Sequence, residues 1–323
     1  MTRVAVLDDY QFRGYELADW ASLGPEVIVE FFHRRIEPGH LPLVLGGFNV
    51  LVLMRERTRF DRAVLSQLPA LELVVTTGMR NASLDVAYLN ERGVPVSGTD
   101  GTGAARPGGV PSTAEVAWAL ILAAVKRVAV EDRAIRSGAW QLGVPTNLAG
   151  STLGLAGLGH LGAAMVGPAR AFGMEVIAWS ENLTDARATE VGVTRVATKE
   201  ELLARSDVLS IHLVLSERTR GLFGEAELHR MKPTAVLVNT SRGPIVDERA
   251  LITALRRRRI AAAALDVFDR EPLPAHHPLT DLDNVVLTPH LGYVSESGLR
   301  HMYGQVVEDI AAFRRGEPIR RIQ

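Results

Sequence analysis

Three charged residues near the C-terminal end lie in runs whose composition could do chemistry. Arg242 sits in Val-Asn-Thr-Ser-Arg-Gly (238–243), Glu271 in Ala-Leu-Asp-Val-Phe-Asp-Arg-Glu-Pro-Leu (264–273) and His290 in Leu-Thr-Pro-His-Leu-Gly (287–292). Histidine is the side chain that can both give and take a proton near neutrality. A carboxylate beside an imidazole can orient it and fix its tautomer. The planar fork of an arginine stays charged and can bond a carboxylate and a carbonyl together. Upstream, Gly157-Leu-Gly-His-Leu-Gly162 fits the spacing G-x-G-x-x-G, which suits the binding of a dinucleotide pyrophosphate when it joins a strand to a helix.

The elements that must hold these residues are short apolar runs alternating with helical patterns. Val4–Leu7, Val27–Phe32, Val50–Met54 and Leu73–Thr76 form one series. Thr152–Ala156, Glu175–Trp179, Val208–His212, Ala235–Asn239, Ala262–Asp266 and Val285–Leu287 form a second. Continuous apolar runs separated by helices are the pattern of buried parallel strands. Each series predicts a doubly wound parallel sheet, and a chain of 323 residues is long for one core. Two α/β domains follow. The Gly- and Pro-dense stretch 98–111 marks their boundary. After it, Ser112 or Thr113 is expected to cap a long helix reaching about Arg136, and a final helix is expected over about 297–315. The glycine motif follows the run Thr152–Ala156 and opens a helix. There Gly157 would permit the tight turn, Gly159 the approach of phosphate and Gly162 the close packing of helix on strand.

Composition excludes several other classes. A net charge of -1 provides no electrostatic footprint for nucleic acid or an anionic membrane. The run Arg256–Arg259 is read as a helix end, where cations suit the dipole. With no cysteine the chain has no disulfide, no thiolate catalysis and no cysteine-ligated zinc, and no metal is expected. The N-terminus reads as a short buried strand rather than a signal peptide, and Val116–Val125 is too short to span a bilayer. A soluble cytoplasmic protein is expected.

In this order and context the motifs resemble the D-2-hydroxyacid dehydrogenase family (D-isomer-specific 2-hydroxyacid dehydrogenases) over most of the chain. The resemblance implies hydride transfer between a nicotinamide cofactor, NAD or NADP, and C2 of a 2-hydroxy or 2-oxo acid, with 2-oxoacid reduction the direction in use. It implies a Rossmann cofactor domain, 99–294, inserted into a flavodoxin-like substrate domain made of 1–98 and 295–323. His290 would then be the acid/base, Glu271 its partner, and Arg242 the group that binds the substrate carboxylate and carbonyl. Cofactor contacts would come from Gly157, Gly159, His160, Leu161 and Gly162, and from His212 and Leu213 beside the adenine. Asn239, Thr240 and Asp266 would lie near the nicotinamide, with Thr113 at a helix start beside the cofactor. Gly78, Met79 and Arg80 would cradle the substrate carboxylate, and Arg55 would face the cleft. A homodimer with helix 113–136 at its interface is implied as well.

Two positions depart from the family pattern. Ser180 stands where NAD-using relatives carry Asp, which removes the charge that repels the 2′-phosphate of NADP. Yet the nearest downstream arginine is Arg187, and Glu181 either turns inward as a substitute acid or stays solvated. The balance leans to NAD. Arg80 stands where most relatives have a second glycine, and it either enters the cleft or swings to solvent. Two rival readings share the fold: a phosphite dehydrogenase, and a nucleotide-sensing binding protein of the corepressor kind. Glu271 argues against a formate dehydrogenase, since formate enzymes of this superfamily carry glutamine there. The corepressors carry long tails, whereas this sequence stops soon after its last helical pattern.

Overall fold

The structure is a computed structural model that describes residues 1–100 and 109–323. It falls into two compact units, Met1–Pro107 with Val294–Gln323, and Gly108–Tyr293. The loop stretch expected at the boundary lies largely outside the described residues.

The first unit carries five parallel strands, β1 (Thr2–Val6), β2 (Val27–Phe31), β3 (Val50–Leu53), β4 (Leu73–Thr76) and β5 (Val96–Gly98), in the order β2-β1-β3-β4-β5. This is the flavodoxin-like order. β3 and β4 are buried at every position, so their runs of Val and Leu are what a doubly covered parallel strand requires. β5 escaped the sequence reading because Val96-Ser97-Gly98 is too short to show a period. It forms because β4 pairs with it on one side and the C-terminal tail bonds it on the other, through Gly98 N–H to Arg320 O (2.9 Å) and Ile322 N–H to Val96 O (2.8 Å). Helix Glu296–Arg314 is capped by the Ser295 hydroxyl. It buries Tyr303 against Trp20 with ring centroids 5.9 Å apart, inside this same unit.

The second unit carries seven parallel strands. They are β6 (Thr152–Ala156), β7 (Glu175–Trp179), β8 (Thr194–Arg195), β9 (Val208–Ile211), β10 (Val236–Asn239), β11 (Ala262–Leu265) and β12 (Val285–Leu287), in the order β12-β11-β10-β9-β6-β7-β8. The order reverses at β6, which places a crevice at the carboxyl ends of β6 and β9. One apolar layer is built on Leu209, Leu237, Phe223 and Leu255, the other on Trp118, Ile121, Leu153 and Met165. β8, with two exposed residues, carries no apolar signal in the sequence.

Several strands stop one residue earlier than their apolar runs suggest. Met54, His212 and Asp266 therefore stand just past the last ladder position, at the carboxyl edge of their sheets. The long helix expected to reach Arg136 is two helices, Ser112–Val125 and Val128–Arg136. Arg127 between them has φ 57°, and a left-handed residue ends a right-handed helix. At this break Lys126 Nζ donates to Thr146 O and Asn147 Oδ1. Neither Ser112 nor Thr113 is the cap: Pro111 holds that position without a side-chain bond.

Gly154 in β6 shows how close the central packing is. A Cβ there would lie 1.8 Å from Ser206 Oγ, which is itself bonded to Leu202 O at 2.6 Å. Gly154→Ala is expected to destabilise the protein by about 1–3 kcal/mol through overpacking. Urea unfolding measures this, and an unchanged midpoint would contradict the packing described.

Candidate active site

His290 follows β12 on the short segment Thr288-Pro289-His290, with its N–H bonded to Thr288 O at 3.0 Å. Its backbone is left-handed, φ 53°, an unfavourable state for a residue with a Cβ. The imidazole Nδ1 lies 2.6 Å from Glu271 Oε2, and Glu271 Oε1 accepts the Phe268 N–H at 3.0 Å. The carboxylate is thus fixed from both sides. Burial alone would push the Glu271 carboxyl up. The hydrogen bond and charge of His290, the Phe268 amide and the charge of Arg242 outweigh it, so the carboxyl sits below its ordinary range. With Nδ1 turned to Glu271, Nε2 is the nitrogen left to exchange a proton with another molecule. The Tyr293 ring stands edge-on to the imidazole at 5.5 Å.

Arg242 lies three residues beyond β10. Asn239, the last residue of that strand, shapes the turn: its Nδ2 donates to Arg242 O at 2.9 Å and its Oδ1 accepts the Ser241 N–H at 3.0 Å. Gly243 then packs flush on the chain leading to Glu271, because a Cβ there would be 2.1 Å from the Phe268 carbonyl carbon. Arg242, Glu271 and His290 therefore follow three adjacent strands of one sheet, β10, β11 and β12.

The loop bearing His290 is braced from two sides. Asp266, one residue past β11, is fully buried. Its carboxylate accepts the Thr288 hydroxyl (2.5 Å) and the N–H groups of Leu291 (2.7 Å) and Gly292 (2.8 Å). Burial pushes this carboxyl up, and those hydrogen bonds oppose the shift. From the other side, Thr113 Oγ1 donates to Gly292 O at 2.8 Å. The resemblance set Asp266 and Thr113 beside a cofactor. Here the polar atoms of both meet the histidine loop.

The glycine motif follows β6 as the sequence suggested. Gly157 has φ 102°, and a Cβ on it would sit 2.5 Å from His212 O. One on Gly162 would sit 2.1 Å from Gly157 O, whereas one on Gly159 would meet nothing within 4 Å. The first and third glycines are demanded by the protein's own packing. The second borders open space beside the exposed His160 and half-buried Leu161. His212 Nδ1 and Thr240 Oγ1 are among the buried polar atoms of this unit that have no hydrogen-bond partner among the described residues. His212 Nε2 pairs with Ser210 Oγ at 2.9 Å, and burial pushes the imidazole down to about 4, so it is neutral at ordinary pH. Leu213 packs beside Gly157. A cradle of glycines with such atoms nearby fits a dinucleotide. Past β7, Ser180 is half-buried and Glu181 exposed. Arg187 donates to Leu158 O at 3.3 Å and pairs with Glu190 at 2.9 Å.

In the first unit, Arg55 also has a left-handed backbone, φ 52°, and its N–H bonds Thr77 Oγ1 at 2.9 Å. Gly78 has φ 134°, and a Cβ on it would lie 2.8 Å from Arg55 Nη1, so this arginine packs over the loop. Met79 and Arg80 are exposed. Asn81, which the sequence reading passed over, ties the loop down through Arg55 O (2.8 Å) and Thr76 Oγ1 (3.0 Å). Nothing in sequence separates such an asparagine from a solvated one. Thr288 and Tyr293 went unnoticed for the same reason. Among the described residues no helix is long and apolar enough to cross a membrane, and no group of three or more His, Asp or Glu could hold a metal ion.

Comparison with known proteins agrees with this geometry. The family described as D-isomer specific 2-hydroxyacid dehydrogenase, NAD binding domain, matches residues 118–292. A glyoxylate reductase of Aeropyrum pernix is 42% identical over 270 residues, 80% of this chain and 78% of that protein. A D-3-phosphoglycerate dehydrogenase of Archaeoglobus fulgidus is 34% identical over 83% of this chain, which spans 50% of that longer protein. A phosphoglycerate oxidoreductase of Vibrio cholerae has a crystal structure that superposes with a TM-score of 0.90 at 34% identity, over 98% of this chain and 100% of that one. With the glycine cradle, the trio at three strand ends and these relatives in agreement, the chain belongs to the D-isomer specific 2-hydroxyacid dehydrogenases, oxidoreductases that use a nicotinamide dinucleotide.

Proposed function

We propose that this enzyme reduces a small 2-oxo acid to the 2-hydroxy acid, with His290 as the acid, Glu271 as its partner and Arg242 binding the substrate carboxylate and carbonyl. The observation that carries this reading is the 2.6 Å contact between His290 Nδ1 and Glu271 Oε2. It leaves Nε2 to deliver a proton to a carbonyl oxygen as that oxygen gains negative charge. Arg242 would offer paired donors to the carboxylate and polarise the carbonyl. The nicotinamide, when bound, supplies the hydride. Gly157, Gly159 and Gly162 would hold its pyrophosphate, with His212 and Leu213 toward the adenine and Asn239 and Thr240 toward the nicotinamide. The names of the relatives favour a glyoxylate-sized substrate over a phosphorylated one, because the more similar protein is a glyoxylate reductase. In the first unit we assign substrate recognition to the amides of Gly78, Met79 and Arg80 and to Arg55. We further read the chain as a homodimer. Exposed Val128, Ile135 and Trp140 on and after the helix Val128–Arg136 support that surface.

On the cofactor, Ser180 offers no carboxylate to a ribose hydroxyl, but Arg187, close to the glycine turn, is engaged by Leu158 O and Glu190. That arrangement gives a 2′-phosphate little to gain, and NAD remains our assignment. The kcat/KM for NADH is expected to equal or exceed that for NADPH. A preference for NADPH above about tenfold, roughly 1.4 kcal/mol, would overturn it.

The chemistry is tested by His290→Ala, assayed with NADH and a panel of 2-oxo acids that includes glyoxylate. A loss in kcat of roughly 100-fold or more is expected while cofactor still binds. Near-normal kcat would remove His290 from the reaction.

A further inference from the structure

The sequence resemblance placed Thr113 beside the cofactor, and the cap rule offered it to its own helix. The cap position is held by Pro111 instead, and the Thr113 hydroxyl bonds a loop backbone. Thr113 is the second residue of helix Ser112–Val125, and that helix is rooted in the core through Ala114, Ala117, Trp118 and Ile121, all buried. From this fixed base Thr113 Oγ1 donates to Gly292 O at 2.8 Å. Gly292 lies two residues beyond His290 and is buried. A Cβ on it would come 3.1 Å from Thr113 Cγ2 and 3.2 Å from Asp266 Oδ2, so it is wedged between the two. Its N–H goes to Asp266 and its carbonyl to Thr113.

The loop has need of such fixing. Its last sheet-like bond is Thr288 N–H to Leu265 O, at 2.9 Å. Beyond that point no strand carries it, and His290 is held in a left-handed backbone. A non-glycine residue there is strained and persists only where its surroundings enforce it. Asp266 enforces it through the amides, and the Thr113 hydroxyl is the complementary restraint on the carbonyl.

We propose that Thr113 is a positioning residue for proton transfer, acting through Gly292 to hold the His290 loop. The inference rests on His290 being the acid/base. Thr113→Val keeps the volume but leaves the buried Gly292 carbonyl without its donor. Small misplacements of reacting groups cost up to about 100-fold, and we expect kcat to fall about tenfold. The cofactor Kd, read by fluorescence titration without turnover, should change by less than about twofold, since the hydroxyl is committed to the Gly292 carbonyl. Thr113→Ser, which restores the hydroxyl, should return kcat to within about twofold of the natural enzyme.

Unchanged kcat in Thr113→Val would overturn the proposal. So would a raised cofactor Kd with kcat intact, which would mark a cofactor contact instead. Failure of Thr113→Ser to recover activity would also overturn it, because the methyl group would then be what matters. His290→Ala measured alongside separates the two claims. If it loses kcat while Thr113→Val does not, the brace alone falls. If it keeps kcat, the assignment of His290 falls and the brace with it.

Discussion

The 2.6 Å hydrogen bond between His290 Nδ1 and Glu271 Oε2 decides which imidazole nitrogen is available for chemistry, and the surrounding unit is organised to preserve it. Each partner is short of support from regular structure. Glu271 lies six residues past the end of β11, in a connection anchored by the Phe268 amide. His290 lies three residues past β12, in a left-handed backbone that only its neighbours can sustain. The pair persists because β10, β11 and β12 are parallel neighbours in fixed register. Parallel strands deliver their carboxyl ends to one edge of a sheet. Arg242 arrives at that edge by the same route, and the bare Gly243 lets its turn press against the backbone that leads to Glu271.

The glycines of the dinucleotide motif divide the labour in a way that a bare pattern conceals. Gly157 and Gly162 are fixed by contacts within the protein, since a Cβ on either would drive into backbone at 2.5 Å or less. Of the three, Gly159 alone faces open space, and no packing among the described residues demands a glycine there. The neutral His212 beside the same turn extends the argument. Its imidazole is buried and neutral, so it brings polarity to the turn without a charge.

The fold class could be read in the sequence because it rests on local, repeating signals, and so could the placing of Arg242 and His290 just past strand ends. Buried parallel strands announce themselves as unbroken apolar runs, and the residues just past them inherit a position at the ligand edge. Elements that depend on distant partners left no such trace. β5 exists through the tail residues Arg320 and Ile322, more than 200 positions away. The break at Arg127 follows from a backbone conformation that its helical surroundings give no reason to expect. Asp266 and Thr113 were legible as important but not as what they touch. Apart from the Thr288 hydroxyl, their partners are backbone groups of a loop 25 to 179 residues away, and backbone groups are identical in every sequence.

The central claim is that Nε2 of His290 meets the reacting oxygen while Arg242 holds the carboxylate. A crystal structure of the enzyme with nicotinamide cofactor and oxamate, an unreactive 2-oxo acid analogue, tests it most directly. The expected result is the oxamate carbonyl oxygen within about 2.6–3.2 Å of His290 Nε2, its carboxylate bonded by the Arg242 guanidinium, and Nδ1 still on Glu271. An oxamate carbonyl held by another donor, with His290 Nε2 out of that reach, would contradict the account.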